Sequence, residues 1–553
     1  MASRARRLIG AAWLVTGPSR TNIVRPAGDP GDWGKDDRKL GQRVNRRTFN
    51  KLTFLGTLAA LTRGVRAEAQ TGGPERRAQR AGGFKPTLRS LGRHGPPEWF
   101  EDVKFGMFID YGLYSVAGYA PMRESGAMYP DWYLYNMYHS PEVEKYHEAK
   151  WGAGFQRDDF IPLFTAEAFD PEGIAKAAED AGMRYVVPFC KHHDGFCLWP
   201  SSYTKRNTVD MGPRRDLIGP LSEACKRRGL KFGFYFSLEE WEYPVIQDGK
   251  KMVRIWTTLE DPPYRVVPYD EASMARMITG KVPVQDFVAD YIIPQAKEFI
   301  DRYDPDILWL DGDWTTYVEE LGSRQIVSYF YNQASGRKTV ASNDRLGRFM
   351  RFDSGDFFTS EYGSRNTERA KILHKWEECR GLSQSFGYNW QDTEKNVASA
   401  EDLVGMLVEI VSQNGNLLLV VNLDGKGAMP AYISSRLRDV GRWLAVNGEA
   451  IYGSRPWLVA SQGDRLRFTK SKDGKYLYAI HKGWPEGGVE LHDLWLDRSS
   501  TIVMLGSSQE LSWRNVPEGS YGRGGKVVVD IPESLRGTFD FSIAATLRIE
   551  LTD

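Results

Sequence analysis

Cysteine is scarce in this chain: four residues in 553, at Cys190, Cys197, Cys225 and Cys379. So sparse a set excludes a disulfide framework as the basis of the fold. Long apolar runs are missing as well. None reaches the roughly 18 residues that a spanning helix requires, so no membrane span is expected. There is no internal repeat of the kind that builds solenoids or propellers. Net charge is nearly absent, +1 from 73 basic and 72 acidic residues, but the balance is uneven. Residues 1–80 carry 17 basic and 6 acidic side chains, which leaves the remainder at −10. An acidic body gives no electrostatic basis for binding nucleic acid.

What is present suffices for a large folded body. Hydrophobic residues make up 41% and charged residues 26%, which excludes global disorder, and the length predicts two to four domains. Seventeen tryptophans give flat faces that suit sugar rings, although tryptophan also fills cores. The basic charge belongs to a leader, residues 1–69. There Asn45-Arg46-Arg47-Thr48-Phe49-Asn50-Lys51 precedes LTFLGTLAAL and then the small residues Ala67 and Ala69. Paired arginines, a short apolar stretch and a small-residue exit, in that order, resemble a twin-arginine export signal; the alternative is an ordinary basic amphipathic segment. Export to the periplasm or the extracellular space is the expectation. Residues 70–94, rich in Gly and Arg, read as a flexible linker.

From 95 to 456 short apolar runs end repeatedly in polar residues. They are FGMFIDYG from Phe105, YVVPFCKHHDG from Tyr185, LKFGFYFSLEEW from Leu230, ILWLDGDW from Ile307, TVASNDR from Thr339, FFTSEYG from Phe357, LSQSFGYNW from Leu382 and NLLLVVN from Asn416. Stretches of helical spacing lie between several of them, at 171–181, 216–228, 284–302 and 401–413. Apolar runs alternating with helices predict parallel βα units, and eight of them predict an α/β fold of the (β/α)8-like barrel type. The polar, Pro-bearing stretch 242–281 reads as an insertion that forms a lid or wall. After Trp457 the segments are short, alternating and broken by Gly, Asp and Ser, which predicts an antiparallel β-sandwich over 457–553.

In such a barrel the chemistry belongs at the C-terminal strand ends. Those positions hold Asp110, Lys191-His192-His193-Asp194, Glu239-Glu240, Asp311, Asn343-Asp344-Arg345 and Glu361. Asp311 closes a buried apolar run, with Trp309 expected as a wall beside it. Glu361 ends a strand two further on. Two carboxyls on neighbouring strand tips can flank one bond, and a retaining glycosidase needs them about 5–5.5 Å apart. Either could instead be a solvated loop carboxylate. The run from Cys190 to Cys197 contains possible zinc ligands, but alternation along a strand keeps His193 off the face of His192, and no second Cys/His group lies near. Neutral imidazoles bonding sugar hydroxyls fit better than a metal; a packed structural histidine is the alternative for one of the two.

KFGMFI, KHHDGFCLW, PDILWLDG, SNDR, TSEY and NGNLLL occur in this order, closed by VNGEAIYGSRPW. Over about residues 97–457 the chain thereby resembles glycoside hydrolase family 29, the α-L-fucosidases. The resemblance implies a nucleophile at Asp311, an acid/base at Glu361, fucose-hydroxyl binding by His192 and His193, and Arg345 and Trp309 in the same pocket. It implies no metal or cofactor, and a fucosylated glycan or other small carbohydrate as substrate. The oligomeric state is left open.

The chain also departs from the family pattern. Asp110 and Tyr111 replace the usual His and Trp, and Asp131-Trp132-Tyr133 replaces Glu-Trp-Tyr. Leu346 follows the Asn-Asp-Arg motif, and Tyr235-Phe236-Ser237 stands for Tyr-Tyr-Ser. Asp110, Asp131, Trp132 and Tyr235 are therefore the substrate-facing positions at which the glycone or linkage preference is expected to shift. An ionised Asp110 accepts but cannot donate, and its charge is expected to raise the pKa of nearby carboxyls. The competing class is a secreted glycan-binding protein that kept the fold and lost turnover. Metal-dependent hydrolysis through His192 and His193 is a third option, one that a chelator would reveal.

Overall fold

The computed structural model describes residues 83–122, 128–257, 264–270, 282–362, 374–383, 386–517, 525–536 and 543–552. The leader, and with it the twin-arginine-like segment, lies outside the described residues.

Eight parallel strands form one sheet. They are β1 (Phe105–Asp110), β2 (Tyr185–Lys191), β3 (Lys231–Ser237), β7 (Ile307–Asp311), β8 (Ala341–Ser342), β9 (Phe358–Glu361), β10 (Trp376–Gly381) and β11 (Gly415–Asn422). Between β3 and β7 lie β4 (Glu242–Gln247), β5 (Lys250–Trp256) and β6 (Tyr264–Pro268). The large sheet runs β8-β7-β3-β2-β1-β11-β10-β9. Its two ends meet: Asn343 bridges Phe357 in parallel, and Asp356 N donates to Ser342 O at 2.9 Å. The sheet is thus a closed barrel, and the helices between strands read from spacing are present at Pro171–Asp180, Ile218–Arg227, Ile293–Tyr303 and Ala400–Ser412. The last begins in a capping box. Ser399 Oγ accepts from Asp402 N at 3.1 Å, and Asp402 Oδ2 accepts from Ser399 N at 3.0 Å.

Alternation along the strands sends one set of side chains inward. Phe108, Phe189, Tyr235 and Trp309 form an aromatic layer inside the barrel, with Phe189 and Tyr235 stacked at 3.9 Å and Phe108 4.9 Å from Trp309. The outward set meets the helices in a separate core that includes Leu308, Leu310, Phe299 and Leu407.

Two expectations need correction here. The seventh barrel strand is WEECRG, Trp376–Gly381, and the described residues of 382–390 form no strand. Three charged residues in six conceal it, but Glu377 points into the barrel, where Tyr185 OH donates to it at 2.6 Å and Trp309 Nε1 at 2.9 Å. Residues 83–94 are not a free linker. Phe84 is buried, its N–H donates to Asn332 Oδ1 at 2.7 Å and its carbonyl accepts from Ser328 Oγ at 2.7 Å. His94 Nδ1 lies 2.7 Å from Asp356 Oδ1.

The insertion β4-β5-β6 is an antiparallel sheet tied to the body by a buried Arg157–Glu242 pair at 2.5 Å. Beyond the barrel come β12 (Arg455–Gln462), β13 (Leu466–Lys470), β14 (Tyr476–Lys482), β15 (Val489–His492), β16 (Ile502–Met504), β17 (Trp513–Pro517), β18 (Gly525–Val529) and β19 (Ala544–Glu550). They form two antiparallel sheets, β12-β13-β14-β19-β16 and β15-β18-β17. Leu477, Ala479, Val527, Val529, Leu547 and Ile549 fill the core of these sheets. No helix of the described residues is long and apolar enough to cross a membrane.

Candidate active site

Every polar group of the site stands at or just beyond the C-terminal end of a barrel strand. Asp311 ends β7, in register with Ser237 of β3, while Trp309 pairs with Tyr235 one inward layer below. Asp311 is buried between three groups. Tyr235 OH donates to Oδ2 at 2.7 Å, Arg345 Nη1 donates to Oδ1 at 2.7 Å, and His193 Nε2 faces Oδ2 at 3.8 Å. Burial alone would push this carboxyl up; the Arg345 guanidinium first, then His193 and the Tyr235 hydroxyl, hold it down at about 2.

Arg345 is the hub. Its Nε donates to Thr359 Oγ1 at 3.1 Å, its guanidinium lies 4.4 Å over the Trp309 ring, and its Nη2 donates to Glu361 Oε1. One planar guanidinium therefore touches both Asp311 and Glu361, which sets the two carboxyls on either side of a single fork. The surrounding carboxylates raise the Arg345 pKa despite burial. Glu361 keeps 30% of its side chain exposed, against 10% for Asp311. One carboxyl is thus enclosed and the other is open to an incoming group.

β2 ends at Lys191, and the chain then turns, with Gly195 N donating to His192 O at 3.1 Å. Because the strand has ended, alternation no longer separates the histidines, and their rings lie 4.3 Å apart in the same pocket. Cys190, still within the strand, belongs to the core outside the barrel. The turn needs glycine at 195: φ is +74°, and a Cβ would meet the Glu240 carboxylate at 2.3 Å. Ser237 Oγ donates to Glu239 O at 2.5 Å and so accepts from His193 Nδ1, also at 2.5 Å. That places the neutral-ring proton on Nδ1 and leaves Nε2 as an acceptor toward the pocket. Burial lowers the pKa of both histidines.

Opposite them, Asp131 follows β1 in a short turn of 3-10 helix, its Oδ2 3.6 Å from His192 Nε2. Asp131 Oδ1 and His192 Nδ1 are buried without a hydrogen-bond partner among the described residues. Asp110 is fully buried and accepts from Tyr114 OH at 2.6 Å. Burial raises both acids, and in Asp131 the charge of Asp110 adds to it. The expectation that Asp110 raises the working carboxyls fails at Asp311, which Arg345 holds low against burial; burial drives Asp110 itself toward its neutral form.

Trp132 stands in a cluster of aromatic rings, 5.4 Å from His193, 5.5 Å from Trp241, 5.9 Å from Trp256 and 5.9 Å from Trp314. Trp256 comes from the insertion and Trp241 immediately precedes it, so this segment forms a wall of the site. Trp309 and Tyr235 lie deep in the site, each 1% exposed, the Trp309 ring under Arg345 and the Tyr235 hydroxyl against Asp311.

The remaining strand-end residues are structural. Asn343 pairs with the Leu310 backbone at 3.1 and 2.8 Å, and Asp344 accepts from Thr359 N and Oγ1. Asp194 accepts from Phe196 N, Glu239 from Thr315 and Thr316, and Lys191 pairs with Glu240. Sequence reasoning missed Ser237, Thr359 and Glu377. Only Glu377 left a trace, an acid inside a strand. Among the described residues no group of three or more His, Cys, Asp or Glu is arranged to hold a metal ion.

The profile of the alpha-L-fucosidase family matches residues 74–449. The tissue alpha-L-fucosidase of Rattus norvegicus is 31% identical over 470 residues, 84% of this chain and 92% of that protein. The crystal structure of Thermotoga maritima alpha-fucosidase with a mechanism-based inhibitor superposes with a TM-score of 0.67 at 32% identity, covering 84% of this chain and 100% of that one. The complex of the same enzyme with fucose gives 0.67 at 33% identity over the same shares.

Proposed function

This chain belongs to the α-L-fucosidase family, glycoside hydrolase family 29, and from that premise we propose a retaining exo-glycosidase that removes terminal α-L-fucosyl residues from glycans. The observation that carries the reading is the single Arg345 guanidinium held between Asp311 and Glu361. An Asp311 carboxyl held at about 2 is ionised at every working pH, as a nucleophile must be. It attacks the anomeric carbon while Glu361 protonates the leaving oxygen. Glu361 then takes a proton from the water that releases the sugar. Glu361 must leave its contact with Arg345 to carry that proton, and its exposed position gives it room. Sugar hydroxyls can donate to His193 Nε2 and meet the partnerless atoms of His192 and Asp131, with Trp132 along the ring's apolar face.

The finer proposal is a shifted glycone or linkage preference. Its basis is the Asp110/Asp131 pair: both acids are pushed toward the neutral form beside His192, so the pair keeps a proton that can be donated to a hydroxyl. We further propose export through the twin-arginine-like leader. Lys in place of both Arg46 and Arg47 should hold the protein in the cytoplasm, as read by cell fractionation.

The decisive test is hydrolysis of an aryl α-L-fucoside by the purified chain, alongside a panel of other aryl glycosides. Asp311→Gly should lose about three orders of magnitude or more in kcat, and azide should restore turnover as a glycosyl azide. Without that product the nucleophile assignment fails. Fucoside efficiency with no activity elsewhere on the panel would remove the shifted preference. Glycan binding without turnover in the natural sequence would favour the binding-protein reading instead.

A further inference from the structure

Beyond the cluster around Trp132, the loops after β7 and β8 present aromatic rings to solvent. Trp314 is 38% exposed, Tyr317 40% and Phe349 77%. Phe349 also has φ +66°, a left-handed conformation that is rare and costly for a bulky residue. A fully apolar ring is thus held outward on a strained backbone, with no burial to offset the strain. The loops are knit together so that these rings keep their places. Arg348 N donates to Thr316 O at 2.9 Å, and Gly347 lies so close that a Cβ there would stand 2.5 Å from Val318 N. Arg351 pairs with Asp313 at 2.8 Å.

Between the rings lies a cation. The Arg348 guanidinium is 4.8 Å over Phe349 and 5.5 Å over Tyr317, and among the described residues it has no carboxylate at ion-pair distance. It is half-buried. The assembly adjoins the catalytic pocket, since Trp314, three residues before Tyr317, lies 5.0 Å from His193. The same two loops lead away from Asp311 and Arg345.

We propose that Tyr317, Arg348 and Phe349 form a subsite for the sugar to which the cleaved residue is attached, and that this sugar bears an acidic group, a sulfate ester or a carboxylate. The inference rests on the glycosidase reading above and deepens it. Aromatic rings take the apolar face of a pyranose, and a guanidinium flanked by them bonds sulfate or carboxylate through its fork. Presenting both beyond Trp314 at the mouth, 5.0 Å from His193, fits a sugar on the leaving-group side of the scissile bond.

The test uses the full chain with four substrates: α-L-fucosyl fluoride, which has no second sugar, a fucosyl-galactoside, its sulfated form and the corresponding galacturonate. The chain should prefer the acidic disaccharides to the neutral one by about tenfold in kcat/KM. Arg348→Gln should remove that preference. Phe349→Gly, which also relieves the backbone, should lower the ratio of disaccharide to fluoride kcat/KM by up to about tenfold. The better of the two acids identifies the group recognised. A ratio unmoved by Phe349→Gly, or no preference for acid in the natural sequence, overturns the subsite. Calorimetric affinities of Asp311→Asn for the same disaccharides read the subsite without turnover. Failure to cleave the fluoride would therefore count against the glycosidase reading alone.

Discussion

Glu377 shows how much of the site depends on a residue that touches no substrate. It sits inside the barrel, receiving Tyr185 OH and Trp309 Nε1, and Trp309 in turn lies flat under Arg345. Burial raises its pKa to about 7, with the two donors opposing that rise. Against an ordinary glutamate near 4.3, the folded state retains a proton that the unfolded chain has lost, so this group makes stability fall as pH rises from about 4 to 7. Glu377→Gln keeps an acceptor for Trp309 Nε1 and turns its amide to donate to the Tyr185 oxygen, and it should flatten that fall, as measured by urea unfolding across the window. Glu377→Ala leaves two buried donors unpaired and should cost about 1–3 kcal/mol. It should also reduce kcat, because the support beneath Arg345 is loosened. The catalytic candidates Asp311, Glu361, Arg345 and the two histidines were legible because each follows an apolar run and carries charge or imidazole. That Trp309 lies under Arg345 and Tyr235 bonds Asp311 was not legible, since a side chain's depth in a barrel depends on register with neighbouring strands.

At the level of elements, the segment 83–94 does more than the composition of its surroundings suggests. Phe84 and Leu91 are buried, and His94 binds Asp356, whose other carboxylate oxygen accepts from Tyr331 OH at 2.9 Å and Ser342 N at 2.8 Å. The segment therefore braces the two-residue strand β8 where the barrel closes. A chain beginning at residue 83 should match the full chain in stability and turnover. One beginning at 95 should lose about 3 kcal/mol or more, at about 1.5–3 kcal/mol for each buried apolar side chain, as read by denaturant unfolding. Gly and Arg in the preceding stretch gave the impression of a linker, and single residues such as Phe84 and His94 carry no periodic signal. β10 was hidden for another reason: Glu377 is buried inside the barrel while Glu378 and Arg380 pair on the other face, so its pattern is that of a polar segment.

Across the molecule, the barrel and the sheets that follow it share contacts. Trp443 Nε1 donates to Ala544 O at 3.0 Å, Thr469 Oγ1 to Ala450 O at 2.8 Å, and Arg467 pairs with Glu409 at 2.5 Å. Half-buried and buried groups on the helix Ala400–Ser412 are covered by β12, β13 and β19. Ending the chain at residue 454 should expose them, lowering the melting temperature of the barrel and its solubility. In the full chain, tryptophan fluorescence and near-ultraviolet dichroism should report one coincident unfolding transition.

Alternating apolar runs and helical stretches were enough to specify parallel βα units, the later antiparallel strands and the strand tips that carry charge, because these follow from local periodicity and composition. Which of those charges meet is another matter. Arg345 reaches both Asp311 and Glu361 only once the sheet has closed through Asn343 and Phe357. The acid at 110 is pushed toward its neutral form, and the carboxyl at 311 keeps its charge, through burial and neighbours drawn from separate strands and loops. Desolvation and Coulomb energy depend on distances through space, and no linear pattern encodes those until the chain has folded.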